Sequence, residues 1–108
     1  MFILDTDASD HSIRAVLSQI QDDVERVISY YSRVLDKVER NSCVTRRELL
    51  AVIDSVKNFH RYSIGKQFII RTDHASLTWL LNFKEPEGQL VRWIGFLEQY
   101  NYKNEHRK

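Results

Sequence analysis

Two short apolar runs, Phe2-Ile3-Leu4 and Phe68-Ile69-Ile70, are each followed one residue later by the dipeptide Thr-Asp, at Thr6-Asp7 and Thr72-Asp73. Apolar runs of this length bounded by polar residues predict strands, here central ones buried on both faces. Ile13 to Ile20, with Ile13, Ala15, Val16 and Leu17, predicts a second strand, and Val24 to Ser32, with Val27, Ile28, Tyr30 and Tyr31, a third. The polar turns Ala8-Ser9-Asp10-His11-Ser12 and Gln21-Asp22-Asp23 are short, so these three strands form an antiparallel meander. Arg33 to Val44 mixes charged and apolar residues without a period and reads as a loop with one helical turn. Thr45 then opens a long helix: Leu49, Ile53, Val56 and Phe59 or His60 recur at helical spacing, and Gly65 stands just past its end. Gln67 to Asp73 is the fourth strand. A short helix from Ala75 to Asn82 buries Leu77, Leu80 and Leu81, and Pro86 with Gly88 marks the next break. Gln89 to Gln99 is a helix with Leu90, Trp93, Ile94 and Leu97 on one face, and Tyr100 to His106 alternates weakly as a fifth, edge-like strand. The order β-β-β-α-β-α-α-β describes one α/β domain with a mixed sheet: three antiparallel strands, then a β-α-β unit, with helices packed on it.

The repeated Thr-Asp ending carries the chemistry. If the first and fourth strands are parallel neighbours, Asp7 and Asp73 meet at the carboxyl edge of the sheet. That edge is where sites lie in open α/β sheets. The helix feeding the fourth strand begins near the same edge and carries Glu48 in its first turn. Three carboxylates brought together repel strongly unless a cation neutralises them, which points to a divalent-metal site. Ligation by carboxylates alone favours Mg²⁺ or Mn²⁺ over Zn²⁺, and such a cluster can hold two ions about 3.5–4 Å apart. Blander roles compete for each residue. Asp7 can be a turn residue accepting backbone N–H bonds. Thr45-Arg46-Arg47-Glu48 matches a capping box, a role hard to combine with metal ligation. Asp5 and Arg71 stand two residues before Asp7 and Asp73, and a cross-strand ion pair is the favoured reading for them.

Bulk properties narrow the partners. The chain has 108 residues, 43% hydrophobic and 29% charged, which suits one globular domain. Sixteen basic and fifteen acidic residues leave a net charge of +1, so anion binding must come from local patches rather than a general positive field. The single cysteine, Cys43, has no partner for an internal disulfide or a zinc knuckle. No stretch approaches the roughly 20 apolar residues of a membrane span. No leader follows Met1. An intracellular, unsecreted protein is expected.

Ordered blocks cover essentially the whole chain: Leu-Asp-Thr-Asp-Ala-Ser-Asp at 4–10, Ala-Val-Leu-Ser-Gln at 15–19, Tyr-Tyr-Ser-Arg at 30–33 and Glu-Arg-Asn at 39–41. Further blocks run over 45–52, 68–81 and 92–100. In these the chain resembles the ribonuclease H domain of reverse transcriptases from gypsy-type long-terminal-repeat retrotransposons. The resemblance implies the ribonuclease H-like fold, a five-stranded mixed sheet with helices. It also implies hydrolysis of the RNA strand of RNA–DNA hybrids with Mg²⁺, as part of reverse transcription, in the cytoplasm or a retroelement particle. A polymerase domain would be its neighbour in the polyprotein. The family's metal-binding acids fall on Asp7, Glu48 and Asp73, which tips Glu48 from cap to ligand.

Three departures qualify the resemblance. The family's fourth metal-site aspartate sits on a helix after the last strand, and the chain ends at Lys108 before any such segment, so the domain over residues 1–108 is expected to lack its C-terminal helix. Arg14 replaces a glycine usual on the second strand, where it adds a phosphate contact or disturbs a close backbone approach. Asn104 and His106 replace apolar or aromatic residues in the last strand. With the polymerase half also absent before Met1, the chain reads as a fragment, a decayed copy or a repurposed one. Activity below that of a complete domain is expected, or else an inactive domain that binds nucleic acid or packs on a polymerase. Arg33, Arg40, Arg46, Arg47 and Lys66 are candidates for a phosphate patch, with His74 and Trp79 as further nucleic-acid contacts. Trp93 lies within an apolar stripe and is assigned to the core.

Overall fold

A computed structural model describes residues 1–72 and 88–106. Strands β1 (Phe2–Ala8), β2 (Ser12–Gln21), β3 (Val24–Val34), β4 (Gln67–Thr72) and β5 (Asn101–His106) form a five-stranded sheet in the order β3-β2-β1-β4-β5. β1, β2 and β3 are antiparallel, whereas β4 runs parallel to β1 and β5 parallel to β4. Between β3 and β4 come α1 (Lys37–Arg40), α2 (Val44–Asn58) and α3 (His60–Ser63), and α4 (Gly88–Leu97) leads into β5. The mixed sheet and its meander are those expected. The helix predicted over Ala75 to Asn82 lies outside the described residues.

Turn chemistry sets the register of the meander. Gln21 pairs with Val24, leaving Asp22 and Asp23 as a two-residue loop with φ of 53° and 64°. Positive φ at both positions is the type I′ geometry whose twist matches that of the flanking strands. At the other turn, Ser9 Oγ accepts the N–H groups of His11 (3.2 Å) and Ser12 (3.1 Å). The ladder continues to Ser12↔Val34, so β2 and β3 are longer than their apolar patterns suggested.

The helical segment departs from expectation in two ways. It is not continuous to Gly65: Phe59 leaves helical geometry (φ −103°, ψ 23°), α3 adds one short turn, and Gly65, at φ 73°, follows the Ile64 C-cap. Nor does Thr45 open α2. Its N-cap is Cys43, so Thr45 is the second residue inside the helix and the Thr45–Glu48 capping box does not form. The capping box lies instead on α1, where Asp36 accepts the Glu39 N–H (2.8 Å) and Glu39 accepts the Asp36 N–H (2.9 Å).

One face of the sheet carries the core. Phe2 and Leu4 of β1, Ala15 and Leu17 of β2, and Phe68 and Ile70 of β4 meet Leu49, Val52, Ile53 and Val56 of α2. Leu90, Trp93 and Leu97 of α4 close the same cluster, and Trp93 is buried as expected. Close packing makes such a site sensitive to lost volume. Ile53→Ala is expected to lower the unfolding free energy by about 2–5 kcal/mol. Val34→Ala, at a position 74% exposed, should stay within about 0.5 kcal/mol. Urea denaturation of the two variants checks the contrast.

Candidate active site

Side chains alternate along β1, so Phe2, Leu4 and Thr6 face the helices while Asp5 and Asp7 face the other way. On that second face lies a cleft of about 460 Å³, lined by Asp5, Asp7, Arg14, Val16, Tyr30 and Ser32. Asp7 stands at the carboxyl end of β1, and its side chain is 43% exposed. Its Oδ1 accepts the N–H of Ala8 at 3.0 Å, which is the local turn-type bond an aspartate at a strand end makes. Its Oδ2 lies 3.6 Å from Nη2 of Arg14, the residue directly opposite in the β1–β2 ladder. Arg14 therefore meets the carboxylate itself, a contact anticipated neither as a phosphate contact nor as a disturbance of the backbone. A signal for it was present: counting outward from the four-residue turn Ser9–Ser12 pairs Ala8 with Ile13 and Asp7 with Arg14.

The Asp5–Arg71 pair forms as expected. The two residues are register partners in the parallel β1–β4 ladder, and Arg71 Nε and Nη2 donate to Asp5 Oδ1 and Oδ2 at 2.8 and 2.7 Å. Arg71 Nη2 also donates to Glu25 Oε1 at 2.6 Å, bringing in β3, a link the sequence did not announce. The hydrogen bond to Asp5 raises the guanidinium pKa further above its ordinary value. One step further along the same ladder, Thr6 faces Thr72, the last described residue of β4. Asp73, His74 and Trp79 lie outside the described residues.

Glu48 is buried in the second turn of α2. Ala51, one turn further on the same helix face, packs with Ile13 and Leu35 in a small cluster that Ala8 also touches. This draws the first half of α2 to the end of β1 that carries Asp7. Among the described residues, no three acidic, histidine or cysteine side chains form a metal-sized group. Asp7, on the cleft face, and Glu48, buried on the helix side of the same strand end, offer oxygen donors only, a chemistry that suits a hard cation such as Mg²⁺ or Mn²⁺.

Four of the five basic residues proposed for phosphate contact have protein partners, and the fifth, Arg40, is exposed on α1. Arg33 donates through Nε to Asp54 at 2.7 Å and through Nη1 and Nη2 to Glu39 at 2.8 and 2.9 Å, tying β3 to α1 and α2. Arg47 is 13% exposed, donates to the carbonyls of Ser42 and Arg40, and lies 3.7 Å from Asp10. Arg46 donates to Gln89 of α4, beside a small cavity of about 160 Å³ that Arg47, Glu39 and Trp93 also line. Lys66 sits over the ring of Phe2.

With the geometry in place, comparison with known proteins gives a consistent result. Residues 1–100 match the model of the RNase H-like domain found in reverse transcriptase. The chain is 42% identical over 107 residues to the retrovirus-related Pol polyprotein from transposon 297 of Drosophila melanogaster, covering 99% of this chain and 10% of that protein. It is 40% identical over 110 residues to the transposon Tf2-3 polyprotein of Schizosaccharomyces pombe, covering 97% and 8%. The chain thus spans about a tenth of the length of these relatives. Its fold is shared with the foamy viral protease-reverse transcriptase in complex with dsDNA (TM-score 0.80, 15% identity, 99% of this chain and 23% of that one). It is shared also with LC11-RNase H1 in complex with RNA/DNA hybrid (TM-score 0.72, 13% identity, 99% and 85%).

The Arg33 network makes stability pH-dependent in a defined direction. The hydrogen bond from Arg33 holds the Glu39 carboxyl below the ordinary glutamate value. A depressed folded-state pKa contributes stability that is present above the unfolded value and is lost as pH falls through the folded one. Stability should therefore decline on acidification below about pH 4.3. Arg33→Gln should lower the urea midpoint at pH 7 and flatten that acid limb; an unchanged acid limb in the variant contradicts the assignment.

Proposed function

The chain belongs to the RNase H-like domain family of reverse transcriptases, and on that footing we propose that it hydrolyses the RNA strand of RNA–DNA hybrids in a divalent-metal-dependent reaction. The observation that carries this reading is Asp7, a solvent-reachable carboxylate at the end of a central strand, with the buried carboxylate of Glu48 on the helix packed across that strand. Asp7, Glu48 and Asp73 would hold two Mg²⁺ ions, with Mn²⁺ as a substitute. Bound divalent cations supply an activated water at neutral pH and positive charge for the leaving oxygen of a phosphodiester.

The protein's own groups have separable tasks. Asp7 presents one oxygen to the cleft while the Ala8 N–H orients the other. Glu48, held in a rigid helix, contributes a carboxylate whose position does not depend on loop conformation. Arg46, His74 and Trp79 would meet the hybrid, whereas Arg47, 13% exposed and held by the carbonyls of Ser42 and Arg40, contributes little. Arg33 contributes less, because its charge is matched by Glu39 and Asp54. The relatives are polyproteins of transposons and one solved neighbour is an RNase H1 bound to RNA/DNA hybrid, which supports that substrate and a polymerase domain as partner, within the host cell or a retroelement particle. No helix among the described residues is long and apolar enough to cross a membrane.

A second reading, an inactive domain that only binds nucleic acid or packs on a polymerase, draws on one observation: a guanidinium stands beside the Asp7 carboxylate. Cleavage of a labelled RNA–DNA hybrid with Mg²⁺ or Mn²⁺ separates the two. The purified chain should cleave the RNA strand, and Asp7→Asn, prepared identically to control for host ribonuclease H, should lose at least about 100-fold in rate. Equal signals from both proteins, or none from folded protein with either metal, overturn the enzymatic reading.

A further inference from the structure

We propose that Arg14 is a tethered counter-ion that competes with divalent cations for the Asp7 carboxylate and so weakens metal binding and makes it depend on ionic strength. The inference rests on the reading of Asp7 as a metal ligand and adds a residue that controls it.

The argument begins with the ladder. Asp7 and Arg14 are antiparallel register partners, and their side chains share the cleft face. Directly opposed cross-strand residues have Cβ atoms about 4.5–5.5 Å apart. The backbone therefore keeps Arg14 opposite Asp7, with its guanidinium in reach of the carboxylate. The contact is nevertheless loose. Nη2 is 3.6 Å from Oδ2, longer than a hydrogen bond, and the two side chains are 66% and 43% exposed. The other carboxylate on this stretch of β1 is held differently: Asp5 is gripped by both arms of Arg71, at 2.7 and 2.8 Å. Asp5 is thus locked to its cation, whereas Asp7 has a cation that can be displaced without breaking a hydrogen bond.

A divalent ion at Asp7 would sit within several ångströms of the guanidinium. Repulsion between a double and a single positive charge at that range, in a water-like surrounding, corresponds to about three- to tenfold in affinity. Salt screens the interaction, with a Debye length of about 3 Å at 1 M against about 10 Å at 0.1 M. A purely structural role for Arg14 has no reason to follow that dependence.

The test is calorimetric titration with Mn²⁺ alone, without nucleic acid, on the whole chain and its Arg14→Gln, Arg14→Ser, Arg14→Lys and Asp7→Asn variants. Thermal midpoints in chelator establish that each is folded. At about 0.1 M salt, Arg14→Gln and Arg14→Ser should bind Mn²⁺ about three to ten times more tightly than the parent. Arg14→Lys should stay near the parent, and the advantage should shrink as salt is raised towards about 1 M. Loss of binding in Asp7→Asn, with Arg14→Gln no tighter than the parent, overturns the counter-ion role while leaving Asp7 as a ligand. A gain that persists unchanged at high salt also overturns it. Absence of Mn²⁺ binding in every folded protein overturns the metal reading and this inference with it.

Discussion

Parallel neighbouring strands cannot be joined by a tight turn, so the pairing of β1 with β4 depends on a crossover that packs against the sheet it spans. Here that crossover is α2, and its apolar stripe is the constraint from which the rest follows. Leu49, Val52, Ile53 and Val56 cover Phe2, Leu4, Ala15, Leu17, Phe68 and Ile70. Burial of this surface fixes which face of β1 is inside. It thereby places Asp5 and Asp7 on the opposite face, and it fixes the direction in which α2 runs, bringing Glu48 to the Asp7 end. The carboxylates are exposed or buried as they are because the hydrophobic stripe leaves no other arrangement that keeps the strand in register.

Arginines organise the charged side chains on both faces of the sheet. Arg71 joins Asp5 and Glu25, Arg33 joins Glu39 and Asp54, and Arg14 faces Asp7. The first two sets are short, multidentate and partly buried. They suit a structural role, since a planar guanidinium matched to a carboxylate gives both charge and geometry. The third is long and exposed. This gradation separates carboxylates committed to holding strands together from one left accessible in a cleft, and it does so with the same residue types. The register thus shows what Arg14 faces, the carboxylate of Asp7.

Much of this was legible along the chain because the relevant signals are local. The period of apolar residues identified α2 and the buried stripe of α4, the aspartates between β2 and β3 announced a tight turn, and the matching offsets of Asp5 and Arg71 announced their pair. Misreadings arose where two local patterns overlap. Thr45 through Glu48 carries the residue types of a capping box, but the helix begins two residues earlier than that box requires, at Val44, with Cys43 as its cap. Asp36 through Glu39 carries an equivalent pattern and does form one. Local composition cannot choose between such sites, since the start of a helix is settled by where its apolar face meets the core. The same holds for the break at Phe59, whose ring is buried in the cluster that α2 serves.

Among the described residues, the sequence by itself determined the main strands and helices, the meander, the central position of the first and fourth strands and the short list of acids, because these follow from periodicity, turn residues and the identity of the side chains. Only the tertiary structure decided what each charge meets. Arg33 lies 21 residues from Asp54, and Arg71 lies 46 from Glu25. Such pairs exist only after strands and helices have packed. Even Arg14, seven positions along the chain from Asp7, faces it because the ladder folds back at one particular turn. The reason is physical: hydrophobic burial is approximately a property of each segment, whereas electrostatic pairing depends on distances of a few ångströms that only the assembled sheet defines.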